Sequence, residues 1–320
     1  MKRFEDKTFS NEKITNIQSQ LAISIKTTSF KEFINKKYPP LINLLSPWLQ
    51  QAGLNMVVAE AGAGKTYFCL NVAFALASGA QFLEYKAHKP VKVLYIDGEM
   101  KASVLQSRML SIMKHYPNFI PENLEIITPE NMPFSVVPKI CQPNTQAWID
   151  KLIQEHQFDV VFFDNLSTLS TIDENIGHEW NIIQDWFIRI RSYGCAIVLV
   201  HHTGNATDRQ RGSKKREDIL DTVILLKKGH SSTNEIPLHF NVSYPTKHRN
   251  FYGTDAMGFD AFMLKDGSWM MKDSEASIMD LVILYSGTYK MTQQDIAKAL
   301  NISQPTVCRI IQKAKEAGRL

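Results

Sequence analysis

Eight consecutive residues, Ala59-Glu60-Ala61-Gly62-Ala63-Gly64-Lys65-Thr66, bring together two glycines, a lysine and a hydroxyl. An apolar run, Leu54 to Ala59, precedes them, and a helical stretch, Thr66 to Ser78, follows. In a strand–turn–helix setting, backbone N–H groups curl around a phosphate and the helix N-terminus adds partial positive charge. At this spacing Lys65 reaches the β- and γ-phosphates of a nucleotide, and Thr66 offers its hydroxyl to Mg²⁺. The expected nucleotide-binding residues are Glu60, Ala61, Gly62, Ala63, Gly64, Lys65, Thr66 and Tyr67. The usual pattern begins with Gly where this chain has Ala59, but Gly62 and Gly64 still supply the turn. An accidental glycine-rich turn is the competing reading, and the strand before and helix after disfavour it.

Two further runs end in acids. Phe158-Asp159-Val160-Val161-Phe162-Phe163-Asp164 reads as a buried strand whose terminal carboxylate, Asp164, holds Mg²⁺ through water opposite Thr66. Asn165 follows it, so the carboxylate that activates water must come from elsewhere. Tyr95-Ile96-Asp97-Gly98-Glu99-Met100 supplies one. Ligands of open α/β sheets sit at the carboxyl ends of strands, which puts Glu99 near the γ-phosphate as the expected base. The alternative is that Glu99 caps the helix beginning near Ala102. Val198 to Gly204 ends a third run with His201-His202-Thr203, a polar cluster suited to sensing the γ-phosphate and relaying its loss. His202 is the expected sensor. A zinc site there lacks cysteine partners and ligand spacing.

The elements that must position these residues alternate. Strand-like runs at 54–59, 93–96, 124–127, 160–163 and 196–200 are separated by helical stretches at 66–78, 102–115, 147–156 and 180–193. Short continuous apolar runs between helices predict a mostly parallel sheet covered on both faces. After Asp221 the runs 223–226, 236–242, 257–264 and 269–271 have no helix between them and predict antiparallel additions at one side. Residues 1–30 read as a flexible basic arm, 31–273 as an α/β core carrying the phosphate loop and 276–320 as a small all-α module. Within 31–50, Phe33, Ile34, Leu41, Leu44, Leu45, Trp48 and Leu49 suggest a packed lead-in, which Pro39, Pro40 and Pro47 keep from forming a long helix.

The last segment reads as a helix-turn-helix. Thr292 caps one helix, with Ile296, Ala297 and Leu300 on its inner face, and Asn301 suits the turn. Ser303 caps a second helix carrying Pro305 near its start and apolar Val307, Ile310 and Ile311. Gln304, Thr306 and Arg309 then face outward and could meet base edges. A small bundle for protein contacts is the alternative. Upstream, residues 204–216 hold 5 Lys+Arg in 13 positions without an apolar anchor or an aromatic. Arg209, Arg211, Lys214 and Lys215 could therefore grip a phosphate backbone electrostatically. Charge is segregated in the same sense, with residues 1–50 and 286–320 each at +4 and the centre at −4. Apolar residues at 44% exclude wholesale disorder, and no apolar run is long enough to span a membrane. The start lacks a signal-peptide pattern, and Cys69, Cys141, Cys195 and Cys308 form no close pair, so reduced thiols in a cytoplasmic protein are expected.

This combination resembles the RecA-like ATPases, and within them the RepA/DnaB type of hexameric helicase. The residues carrying the resemblance are the loop at 59–66, Asp97-Gly98-Glu99-Met100 with Arg108 downstream, the Asp164 strand and His201-His202-Thr203. Arg211-Gly212-Ser213 leading to Glu217-Asp218-Ile219-Leu220-Asp221, and Lys247-His248-Arg249-Asn250, add to it. The resemblance covers Leu41 to Met271. It implies ATP and Mg²⁺ as cofactors and a homo-oligomer, a hexameric ring with ATP between neighbours. It also implies that Arg249 reaches into the next subunit as a finger from a late strand, with Arg211 as its rival. Separation of the catalytic Glu from the Asp of the metal strand argues against the AAA+ arrangement, which places both on one strand. The partner expected is DNA, single-stranded in the channel and duplex at the terminal module. The function implied is a DNA helicase or translocase. An ATP-switched DNA-binding regulator, and a core that merely oligomerises while the terminal module binds protein, are the alternatives.

Overall fold

The computed structural model describes residues 27–170, 177–202, 218–229, 237–273, 275–288, 290–300 and 302–320. They divide into two compact units, one ending at Pro40 and one running from Leu41 to Leu320. In the first, α1 (Phe30–Asn35) starts at Ser29, whose hydroxyl accepts the Glu32 N–H while the Glu32 carboxylate accepts the Ser29 N–H. That reciprocal cap stabilises a short helix. Phe30, Phe33 and Ile34 on it are exposed, as is Leu41. The packed lead-in expected over 31–50 therefore begins later, at Leu44, Leu45, Trp48 and Leu49, which are buried on or beside β1 (Asn43–Leu45) and β2 (Leu49–Gln50).

The main sheet of the second unit has nine strands among the described residues. Its parallel part comprises β3 (Leu54–Ala59), β6 (Val93–Asp97), β7 (Leu124–Ile127), β8 (Val160–Asp164), β9 (Ala196–His202) and β10 (Thr222–Lys228). Across the sheet they run β10, β3, β9, β8, β6, β7. Beyond β10 come β11 (Leu238–Ser243), β12 (Phe259–Met263) and β13 (Trp269–Asp273), each antiparallel to the last. Two short strands, β4 (Gln81–Phe82) and β5 (Tyr85–Lys86), pair separately. The α/β class, the parallel centre and the antiparallel flank are those read from the alternation of apolar runs.

Strand periodicity explains the two-sided burial. Val57 and Ala59 join the core cluster that α2 (Lys65–Ser78) and α3 (Ala102–Met113) cover with Phe68, Leu70, Leu105 and Met109. Leu54, Met56 and Val58 join the opposite cluster, covered by Ile149 and Ile153 of α4 (Pro143–His156) and by Trp186 and Phe187 of α6 (Gly177–Ser192). Between them α5 (Leu166–Leu169) follows β8 directly. α4 begins four residues earlier than the apolar pattern suggests, because Pro143 at its start needs no N–H partner. β9 runs on to His202, since His201 and His202 still pair with Val58 and Ala59 of β3.

The terminal helices are α7 (Glu275–Ile283), continued by a π-helical turn over Leu284–Thr288, then α8 (Gln293–Ala299) and α9 (Gln304–Glu316). Thr292 and Ser303 cap α8 and α9 through their side chains. Val282, Ile296, Ala297, Val307 and Ile310 form a small apolar cluster of their own. No helix among the described residues is long and apolar enough to cross a membrane.

Candidate nucleotide site

The cleft forms where the carboxyl ends of β3, β6, β8 and β9 meet the start of α2. It encloses about 300 Å³ and is lined by Gly62, Gly64, Lys65, Thr66, Tyr67, Asp97, Glu99, Met100, Arg108, Asp164, Asn165, His202 and Leu238. Gly64 has a φ of 102°, and a Cβ there would come within 3.1 Å of the Leu238 and Phe240 side chains. Only glycine suits both the backbone and the space. Of the other loop residues, Glu60 and Ala61 are exposed on the rim and Ala63 is buried.

Lys65 is buried, and its ammonium donates to the carbonyls of Ala59 (3.0 Å) and Glu60 (2.9 Å) and to His202 Nδ1 (2.9 Å). Because a lysine ammonium has only donors, His202 Nδ1 accepts here. Burial pushes the Lys65 ammonium below its ordinary value, and the carboxylates of Asp164 and Glu99 pull it back up. Lys65 is thus held by acceptors weaker than a phosphate oxygen, which a triphosphate can displace.

Asp164 is almost fully buried at the end of β8. Its carboxylate accepts from the Tyr95 hydroxyl at 2.7 Å and from Thr66. Burial raises its pKa, opposed by those two hydroxyls and by the Lys65 charge. Mg²⁺ prefers a carboxylate and a hydroxyl with water and phosphate oxygens over an all-protein cage. The Thr66–Asp164 pair fits that donor set. No group of three or more His, Cys, Asp or Glu side chains able to hold a metal occurs among the described residues.

Asp97 and Asp164 are register partners on adjacent strands. Asp97 Oδ1 accepts the N–H groups of Glu99 (3.1 Å) and Met100 (2.7 Å), so Asp97 shapes the turn that leaves β6. Burial first, and then the Asp164 charge, raise its pKa to about 6, against the pull of those two N–H groups. Gly98 lies in this turn, and a Cβ there would come within 2.6 Å of Thr168 Oγ1. Glu99 emerges exposed from the turn and accepts from the Asn165 side-chain amide. The helix-cap alternative does not hold, because the Ala102 N–H at the start of α3 goes to Glu130 instead. Arg108 stacks over the Tyr67 ring at 4.7 Å.

Lys65, Thr66, Tyr67, Glu99, Asp164 and His202 therefore converge. Arg249 does not join them. It follows β11 in a loop rather than on a late strand, which corrects that expectation. His248 forms an isolated bridge to Thr222, and Arg249 donates to the Asp218 carbonyl and approaches the Asp221 carboxylate at 4.0 Å. Asp221 also accepts the N–H of Leu54, the first residue of β3, so Arg249 lies at the amino ends of the strands, opposite the cleft. Gln304 and Arg309 are exposed on α9, whereas the Thr306 hydroxyl is engaged with Ser303 (2.8 Å). Arg209, Arg211, Lys214 and Lys215 lie outside the described residues. The sequence assigns no role to Tyr95 or Asn165, and Arg108 enters there only as part of the resemblance. The signal for Tyr95 was a polar tip two residues before Asp97, on the same face of the strand.

A glycine loop between β3 and α2, facing an acid on β8 within a RecA-like sheet, defines a P-loop ATPase. Residues 20–208 match a family described as an AAA domain, and the chain belongs to that family. Its two acids leave different strands, Glu99 after β6 and Asp164 on β8. No curated protein matches. Among solved structures, a KaiC-like protein from the hyperthermophilic archaeon Pyrococcus horikoshii is similar, with a TM-score of 0.52 at 13% identity over 72% of this chain and 94% of that one. That likeness concerns the fold.

Proposed function

We propose that this P-loop ATPase is a DNA-binding motor, a RepA-like ring helicase or translocase that hydrolyses ATP between subunits. The observation that carries the ATP-hydrolysing part of the reading is the convergence of Lys65, Thr66, Asp164, Glu99 and His202 on one cleft. Lys65 leaves the Ala59 and Glu60 carbonyls for the β- and γ-phosphates. Thr66 and Asp164 would hold Mg²⁺, which would supply positive charge to offset that of a bound triphosphate. Glu99 takes the proton of the attacking water, with Asn165 fixing one of its oxygens. His202, already in contact with Lys65, senses departure of the γ-phosphate. Arg249 and Arg211 remain rivals for the finger supplied to a neighbour, and the distance of Arg249 from its own cleft accords with a role in trans.

The DNA side rests on the terminal helices. α8 and α9 are separately capped, pack around their own apolar cluster and expose Gln304 and Arg309. The same separation also suits the second reading, an ATP-switched DNA-binding regulator that does not unwind. Unwinding of a forked duplex distinguishes the two, measured beside ATP hydrolysis with and without single-stranded DNA and mass in solution. A chain ending near Ser274 keeps every cleft residue. It should retain basal hydrolysis and lose duplex affinity, flattening the log–log salt slope by about 0.9 for each phosphate no longer neutralised. Unchanged affinity and slope would sink the DNA-reading role of the terminal helices.

A further inference from the structure

We infer that the loop between β7 and α4 is a contact for single-stranded nucleic acid, with Phe134 stacking on a base and Lys139 meeting the backbone. This rests on the DNA-binding reading above. The loop leaves the carboxyl end of β7, the side of the sheet that carries the nucleotide cleft.

Phe134 is 98% exposed. It sits at the apex of a turn closed by the Ser135 N–H to the Met132 carbonyl (3.0 Å). Phe134 (φ 61°) and Ser135 (φ 53°) both adopt the left-handed region, with no glycine to ease it. Strain of this kind persists only where the surroundings fix the backbone. They do so here, since Met132 packs against the core and Val137 and Ile140 are buried, so the turn between them is held rather than loose. A large ring facing water from an anchored turn is available to a partner.

Lys139 indicates which partner. Its ammonium donates to the Thr168 carbonyl, and no carboxylate pairs with it among the described residues. An apolar protein surface closing over the loop would bury that uncompensated charge at a cost. A single strand offers both a π-face for the ring and a phosphate for the cation.

The loop is also wired to the cleft. The Ile140 N–H donates to the Leu169 carbonyl (2.9 Å), and Lys139 holds Thr168. The Thr168 N–H donates to Asn165 Oδ1 (3.1 Å), and the Asn165 amide donates to Glu99. A contact that draws on the Lys139 ammonium is therefore linked to the oxygen of the proposed base through Thr168 and Asn165.

The test is fluorescence anisotropy of a labelled oligo(dT) with the full chain, alongside its stimulation of phosphate release. Loss of one stacked base should weaken binding about 5- to 100-fold in Phe134→Ala, and Phe134→Leu should behave alike because it keeps bulk without a π-face. Phe134→Trp should bind at least as well as the parent, with its emission quenched as oligonucleotide is added. Lys139→Met should weaken binding less at high salt than at low salt. Parental affinity in Phe134→Ala or Phe134→Leu overturns the stacking contact while leaving the DNA reading in place. Parental protein that fails to bind oligo(dT) even at low salt overturns both. A Phe134→Ala chain that binds normally but falls to a lower mass in solution identifies the loop instead as an interface between copies.

Discussion

Replacing Glu99 by Gln isolates one property of the cleft, because shape and hydrogen bonding survive while basicity does not. Glu99 is exposed and accepts from Asn165, and a glutamine carbonyl oxygen accepts the same bond. The backbone N–H of residue 99 still goes to Asp97, so the turn leaving β6 is retained. Lys65, Thr66 and the glycine loop are untouched, so affinity for a fluorescent ATP analogue should stay within about threefold of the parent, under about 1 kcal/mol. Hydrolysis should fall by the worth of a positioned general base, about 10²- to 10⁴-fold, or about 3–5 kcal/mol of barrier. Single-turnover phosphate release at saturating ATP reads this step without product release. A variant hydrolysing within about tenfold of the parent would refute the assignment and turn attention to Asp97. Against Asp97 stand its burial and the two N–H groups already bound to Oδ1.

Tyr95→Phe should destabilise the fold by about 1.5–3 kcal/mol, since it removes a hydroxyl donated to the buried Asp164 carboxylate at 2.7 Å. Urea unfolding measures it, and a loss below about 0.5 kcal/mol would show that Thr66 and Lys65 alone satisfy Asp164. Glu84 provides a pH test. The Tyr244 hydroxyl donates to Glu84, so the Tyr85 hydroxyl must donate to Tyr244 in turn. Burial, with smaller contributions from Asp255 and Asp273, raises the Glu84 pKa from 4.5 to about 7. A raised carboxylate pKa stabilises the fold fully below the unfolded value, and that contribution is lost as pH rises through the folded one. Glu84→Gln should therefore flatten the stability profile between about pH 4.5 and 7, by on the order of 2 kcal/mol after allowance for partial exposure. Parallel profiles for parent and variant across that window would show that Glu84 does not titrate there.

What the sequence disclosed follows chain adjacency. The phosphate loop was legible because strand, turn and helix lie within one short stretch, and the Ala59 departure did not matter once Gly62 and Gly64 carried the turn. Asp164 and Glu99 were legible as acids at strand ends. Their partners were not, because Tyr95 meets Asp164 and Asn165 meets Glu99 only when β6 lies beside β8 in the register that pairs Asp97 with Asp164. Arg249 shows the limit of a short pattern. Lys-x-Arg suggested a strand, yet the arginine is held in a loop by Asp218 and Asp221, at the far end of β10 from the cleft. Phe30, Phe33 and Ile34 of α1 are exposed among the described residues, and apolar character alone does not fix burial.

Three acids at two neighbouring strand ends cannot share one role. Asp97 and Asp164 lie side by side in surroundings that exclude water, and the Asp164 charge adds to the rise in the Asp97 pKa. The structure separates their duties by the groups that face them. Asp164 receives hydroxyls and the Lys65 charge, which offset part of the rise that burial imposes on its pKa, and it lies beside Thr66. Asp97 receives two backbone N–H groups at Oδ1 and commits that oxygen to the turn. Glu99, carried outward by that turn, is the one acid of the three that water reaches freely, and proton transfer from an attacking water requires that access. Environment divides the acids more sharply than their positions in the chain do, and for that reason Glu99 rather than Asp97 is the base this geometry supports.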